Sequence, residues 1–224
     1  MDNIIKQYKN SFAEHGNSPN SVFWPKGRQA ERFKALTQYI AKENFSVLDF
    51  GCGLAHLRNY LNDHFSVQNI YTGADIVDDF IQENKKNFPK DTFALIQSHK
   101  DISEEYDYIV SSGAFNMLYT DNIESHKEII FDILSHLFSK SKIYLSINFM
   151  TDAVDFIQPG AYHQNIPELY DFITKNLSKR VVIDQSYMPY EYTVTIFKNQ
   201  NILRPENIYS NEETNLYIIN GSME

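Results

Sequence analysis

Apolar positions along the chain change their period several times. Over residues 3–14 and 26–42 they recur at three- and four-residue steps, in the second stretch at Ala30, Phe33, Leu36 and Ile40, which predicts two helices. His15 to Trp24, with Gly16, Pro19 and small polar residues, separates them as a loop. At Ser46-Val47-Leu48-Asp49-Phe50 the pattern becomes a short strand-like run, ends in Gly51, and leads into a helical stretch from Leu54 to about His64. The alternation then repeats. Strand-like segments fall at 69–74, 92–97, 106–111 and 142–149, and helical ones at 77–88, 122–139 and 167–177. In the long helix Ile123, Ile130, Ile133, Leu134 and Leu137 share a face. Two last strands, 180–187 and 191–198, are joined only by Met188-Pro189-Tyr190. Strands that are apolar almost throughout predict a parallel sheet covered by helices on both faces, an α/β sandwich of three layers. So short a final link permits a hairpin and no crossover, so that pair is antiparallel.

A length of 224 residues suits one domain, and no repeat or Pro/Gly/Ser-rich linker divides it. We read residues 1–44 as a helical lid or cap, 45–198 as the ligand-binding core and 199–224 as a tail. In the tail, Leu216-Tyr217-Ile218-Ile219 suits an edge strand or a dimer contact, and both stay open, as does the choice between monomer and homodimer. The net charge of −9 is wrong for a surface that neutralises nucleic-acid phosphates. Lys85-Lys86 and the 175–180 cluster read as solvated faces, while a compact basic pocket for one phosphate stays open. Cys52 is the single cysteine, which excludes an internal disulfide framework and a multi-Cys zinc site. His126 and His136 lack the spacing of a helical metal pair and read as surface or half-buried residues. No apolar run approaches the roughly 18–20 residues that span a bilayer, and the N-terminus lacks the pattern of a secretory signal. The expectation is a cytoplasmic protein with no membrane partner.

Chemistry concentrates at the first strand–helix turn, Asp49-Phe50-Gly51-Cys52-Gly53-Leu54-Ala55-His56. Glycines there let backbone approach a ligand, and the next helix offers free N–H groups. The dinucleotide fingerprint asks for glycine where His56 stands. Asp49, two residues before Gly51, instead suits the ammonium of a bound amino acid. Asp75 ends the next strand, beside Ile76, and an acid there accepts both hydroxyls of a ribose.

With these residues the chain resembles the class I S-adenosylmethionine-dependent methyltransferases. Residues 47–53 match the family's hydrophobic-Leu-Asp-x-Gly-x-Gly motif, and Asp75 matches its acid after strand two. The resemblance covers roughly residues 26–198. Within the family the chain is similar to a bacterial small-molecule subgroup. The shared features are Trp24 upstream of Arg32-Phe33, the turn Ser112-Gly113-Ala114-Phe115-Asn116, and the Tyr187, Glu191, Tyr192 hairpin. The resemblance implies a seven-stranded, Rossmann-like, mostly parallel sheet with S-adenosyl-L-methionine as cofactor and a small-molecule methyl acceptor. Asp49, Gly51, Cys52, Gly53, Leu54, Asp75 and Ile76 then form its first cradle. After strand three, Gln97, Ser98 and Asp101 are the candidates beside the adenine. Trp24 and Arg32 would contribute from the lid, with Arg28 four residues before Arg32 on the same face and gripping an anion, or else paired within the fold.

The turn after strand four faces the reacting end. Ser112, Gly113 and Asn116 are candidates for the methionine moiety and the acceptor, and Phe115 for a cation–π wall. The Asn/Asp-Pro-Pro-Tyr/Phe signature of enzymes that methylate exocyclic or amide nitrogens is absent here, which weighs against a nucleobase or glutamine acceptor, and oxygen is the expected acceptor atom. A hydroxyl acceptor calls for a base, and His163 is the candidate, in a segment that overhangs the pocket. His56 reads as packing or surface, and Tyr162, Tyr187, Tyr190 and Glu191 as neighbours of the acceptor. A cofactor-binding partner protein without turnover is the competing function, and a nicotinamide oxidoreductase the third.

Overall fold

A computed structural model describes residues 2–23, 28–65, 69–120, 122–199, 201–203 and 216–218. The apolar runs become strands β1 (Ser46–Phe50), β2 (Ile70–Asp75), β3 (Thr92–Leu95), β4 (Tyr106–Ser111), β5 (Ser141–Thr151), β6 (His163–Gln164), β7 (Val181–Asp184) and β8 (Glu191–Phe197). In one sheet they follow the order β3-β2-β1-β4-β5-β8-β7, with β6 beside the end of β5. The seven strands of the expected sheet are therefore present, and the two-residue β6 is an addition. From β3 through β5 the pairing is parallel, while β8 runs antiparallel to both β5 and β7. In the tail, β9 (Asn201–Leu203) and β10 (Leu216–Ile218) pair antiparallel in a sheet of their own, so 216–218 add no edge strand to the main sheet.

Helices α1 (Asp2–His15), α2 (Gln29–Thr37), α3 (His56–His64), α4 (Asp78–Asn87), α5 (Ile123–Lys140) and α6 (Ile166–Asn176) cover the sheet. Alternation along β1 shows why both faces are buried. Val47 packs with Phe33, Leu36, Leu57 and Tyr108 on one face. Leu48 and Phe50 pack with Ile109, Leu134 and Ile147 on the other. In α5 the expected stripe is buried at Ile130, Ile133, Leu134 and Leu137, but Ile123, the first helical residue, is 60% exposed. Because β2 and β4 leave β1 on opposite sides, a crevice opens at the carboxyl ends of these strands.

Helix α2 departs from its sequence pattern. It ends at Thr37, whose hydroxyl donates to the Phe33 carbonyl at 2.6 Å, rather than running to residue 42. Ala30 is exposed, while Arg32, Phe33, Ala35 and Leu36 are buried. Nε and Nη2 of Arg32 donate to the two carboxylate oxygens of Glu191, the first residue of β8. Arg28 is exposed, so the two arginines do not act from one face. Arg32 is thus a buried bolt between α2 and the C-terminal hairpin.

Breaking one side of such a pair strands a buried charge. Arg32→Met is expected to lower unfolding stability in urea by about 3 kcal/mol, and adding Glu191→Leu to recover most of that loss.

Candidate functional site

Strand β1 delivers the chain into a turn that folds back on β2. The N–H groups of Gly51 and Cys52 both donate to the Ala74 carbonyl, at 2.8 and 3.1 Å. Gly51 has φ of +73°, and a Cβ on it would stand 2.6 Å from that of Ala114. Any larger residue would push apart the turns after β1 and β4. One residue on, Asp75 takes over. Its Oδ2 accepts the Gly53 N–H at 2.8 Å and its Oδ1 the Val77 N–H at 2.9 Å. From α4, Asn84 donates to the Gly53 carbonyl at 2.7 Å. Ala55, at φ +53°, then starts α3 in a left-handed conformation usually left to glycine.

These turns floor a cavity of about 290 Å³. Of the residues singled out in the sequence, Asp49, Gly51, Cys52, Gly53 and Leu54 line it from the first turn. Asp75 and Ile76 line it from the end of β2, Ser98 from beyond β3, and Ser112 and Gly113 from beyond β4. Ile4 and Tyr8 of α1 also face it, with Gln29 and Phe33 of α2. Edge-on contacts of Tyr8 and Phe12 with Phe80, at 5.9 and 5.6 Å, and a 3.3 Å Lys9–Asp79 ion pair seat α1 on α4.

Other predicted residues stand elsewhere. Asn116 is buried behind the cavity wall, its N–H on the Gly113 carbonyl at 3.4 Å and its carbonyl taking the Tyr162 N–H at 2.9 Å. Phe115 is fully buried between Phe50 and Phe149, a core aromatic rather than a wall of the cavity. Arg32 is committed to Glu191. His163 does not line the cavity. It sits in β6, with Nδ1 2.7 Å from the Thr151 carbonyl oxygen. Trp24 lies outside the described residues. Beyond β3, Asp101 accepts the N–H groups of Gln97 and Ser98 at 2.7 and 3.0 Å and so shapes the turn, leaving Gln97, Ser98 and His99 facing the cavity.

Sequence reasoning underrated several residues. His56 lines the cavity from the first turn of α3. Tyr71 donates to Asp49 at 2.6 Å from across the β1–β2 pair, a contact no local motif announces. His126 is fully buried, not a surface residue; its Nδ1 accepts the N–H of Tyr119, a lining residue, at 3.0 Å.

The electrostatics are one-sided. Burial pushes the Asp49 carboxyl up to about 7, against the lowering effect of the Tyr71 hydrogen bond and with a smaller push from Asp75. Asp75 is also raised by burial, opposed by its backbone hydrogen bonds. Burial, Asp75 and Asp49 raise the Cys52 thiol, so it is inert at neutral pH. Among the described residues no Lys or Arg lines the cavity.

No protein-family model matches the chain. The Mycobacterium tuberculosis protein named Putative methyltransferase Rv1506c is 29% identical over 163 residues, 70% of this chain and 96% of that protein. Two solved structures share the fold at low identity. The magnesium protoporphyrin IX methyltransferase ChlM of Synechocystis PCC 6803, with bound S-adenosylhomocysteine, has a TM-score of 0.61 at 14% identity, over 88% of this chain and 94% of its own. The plantazolicin methyltransferase BpumL, also with S-adenosylhomocysteine, has a TM-score of 0.62 at 16% identity, over 88% and 95%. A dinucleotide-binding sheet is parallel at the position where β8 enters here between β5 and β7, reversed in direction. The chain therefore has the fold of the class I S-adenosylmethionine-dependent methyltransferases.

Proposed function

We propose that this protein is an S-adenosylmethionine-dependent methyltransferase that methylates a hydroxyl oxygen of a small molecule. The cavity's charge carries the reading. Two buried acids, Asp49 and Asp75, face it with no cationic side chain among its described lining residues. Such a site suits a cationic sulfonium with its ammonium group and disfavours the pyrophosphate of a dinucleotide. S-Adenosylmethionine, when bound, supplies a methyl group on a good leaving group. Asp49 then faces the ammonium. Asp75, with both oxygens already bridged to backbone N–H groups, keeps lone pairs for ribose hydroxyls. Ile76, Ile96 and Ile133 offer apolar surface to a flat base. Ser112 and Gly113 flank the reacting end, where the protein's task is to hold nucleophile and carbon in line. A chain with a net charge of −9 fits a small acceptor better than a nucleic acid.

A hydroxyl acceptor must lose its proton, and we assign that proton to His56. Burial holds its imidazole below the usual histidine range, which favours the neutral form that can accept a proton. The other histidine lining the cavity, His99, stands 3.1 Å from Asp132. His163 is engaged by Thr151 away from the cavity.

Cofactor binding should depend on pH through Asp49. A bound cation favours its carboxylate, so binding releases a proton near pH 7 and tightens as pH rises. Calorimetry is expected to show roughly 3- to 10-fold higher affinity for S-adenosylmethionine at pH 8 than at pH 6, with Asp49→Asn flattening the dependence. The same burial destabilises the ligand-free fold once pH passes the range of an unfolded carboxyl and increasingly towards pH 7, so Asp49→Asn should melt higher at pH 8 while binding more weakly.

Transfer of labelled methyl to a panel of hydroxylated small molecules checks the acceptor class. His56→Gln is expected to lower kcat by about 100-fold with little change in donor KM. An N- or C-methylated product, or donor consumption untouched by the His56 change, would overturn the corresponding part of the reading.

A further inference from the structure

Two glycines lining the cavity, Gly53 after β1 and Gly113 after β4, have φ of +52° and +77°. Each is held by a fully buried asparagine from another element. Asn84 of α4 donates from Nδ2 to the Gly53 carbonyl at 2.7 Å. Asn148 of β5 accepts the Gly113 N–H through Oδ1, also at 2.7 Å. The chemistry fixes both amide orientations, because a carbonyl takes only a donor and an N–H only an acceptor. The opposite amide atoms, Asn84 Oδ1 and Asn148 Nδ2, are buried with no hydrogen-bond partner among the described residues. A half-satisfied buried amide is costly where a leucine of similar size would pack without penalty. Packing therefore does not account for either asparagine. What each provides is a directed bond to a peptide group that forms the cavity's surface, with Asn84 Nδ2 also 3.8 Å from Cys52 Sγ.

We infer that Asn84 and Asn148 are positioning residues, setting the Gly53 and Gly113 turns into the conformation that receives the cofactor. The inference rests on the cofactor reading above. Asp75 holds the Gly53 N–H while Asn84 holds its carbonyl. Asn148 holds the Gly113 N–H, and the Gly113 carbonyl takes the Asn116 N–H. Both polar groups of each glycine are thereby engaged, and neither turn can rotate a peptide into the ligand's space without breaking a buried bond.

The two asparagines work with opposite polarity, and this gives the test. Asn→Asp keeps an oxygen and discards the N–H donors. At Asn84 it removes the working atom; at Asn148 it removes only the one without a partner. In calorimetry with S-adenosylhomocysteine, Asn84→Asp is expected to weaken binding at least tenfold, roughly the loss of one buried directed bond. Asn148→Leu, similar in shape but with no acceptor, should weaken it about tenfold, and Asn148→Asp should restore most of that loss. Melting temperatures of the ligand-free variants separate the roles. A buried acid lowers the melting point of Asn148→Asp, so a purely structural role would make affinity follow melting temperature, and positioning makes the two diverge. If Asn84→Asp does not fold, Asn84→Ala removes the donor without a charge and should still bind at least about threefold more weakly. Binding by the wild type with equal effects of Asp at both positions, or with no effect at either, overturns this inference alone. A folded wild-type chain that gives no heat overturns the cofactor reading, and this inference with it.

Discussion

The hydrogen bonds from Gly53 and Val77 to Asp75 hold the site together. One carboxylate at the end of β2 satisfies the turn after β1 and the backbone leading into α4. Without it the Gly53 N–H, in a turn packed under α1 and α4, would lose its partner, and buried backbone donors are rarely left so. Under the proposed function the same arrangement also binds. A carboxylate bridged by two N–H groups cannot rotate, so the lone pairs it retains point in fixed directions. Asp75 is therefore a structural acid and a ligand-facing acid through the same bonds.

Asp49 shows the opposite balance. Its single side-chain donor, Tyr71, does not offset its burial, and its carboxyl is held near neutrality. A fold gains nothing from an under-compensated acid in its core, and such destabilised groups concentrate where a ligand completes them. The chain brings no Lys or Arg to the cavity among its described lining residues, and under the proposed function the partner that completes Asp49 is the cationic cofactor. The acid that makes the ligand-free cavity unfavourable is thus, in the proposed function, the one that selects the charge of what enters it.

Parts of this were legible in the sequence because their causes are local. The glycine turn declares itself by composition, and Asp75 by its distance from Gly53 along one strand–helix–strand unit, 22 residues. The antiparallel hairpin follows from a three-residue link. What could not be read depends on partners far apart in the chain. Arg32 and Glu191 are 159 residues apart, and nothing in a helical period tells a buried arginine from a solvated one. Phe115 looked like a wall for a cation because it follows Gly113, yet its ring completes the core between Phe50 and Phe149. His163, by its irregular neighbours in sequence, is expected to overhang the cavity. The β5–β6 pairing instead ties it to Thr151. Asn84 and Asn148 carried no signal, because an asparagine in a helix or strand is ordinary until its amide is seen against a glycine.

The close approach of Gly51 to Ala114 constrains the rest of the site. The turn after β1 abuts the turn after β4 with only the Ala114 methyl between the two backbones, so neither can shift far without the other. With Asn84 and Asn148 behind them they form one floor tied by buried hydrogen bonds at the carboxyl ends of the strands. Change in such a site is cheapest where contacts are side chain on side chain. Those walls are Ile4 and Tyr8 of α1 and Gln29 and Phe33 of α2. Under the proposed function the cofactor rests on the floor, whose backbone is fixed by buried bonds, and the acceptor is met by walls whose side chains can be exchanged. On that ground the proposed function puts acceptor recognition on the helices that cover the cavity, the part of the chain whose sequence pattern reports only that they are helices.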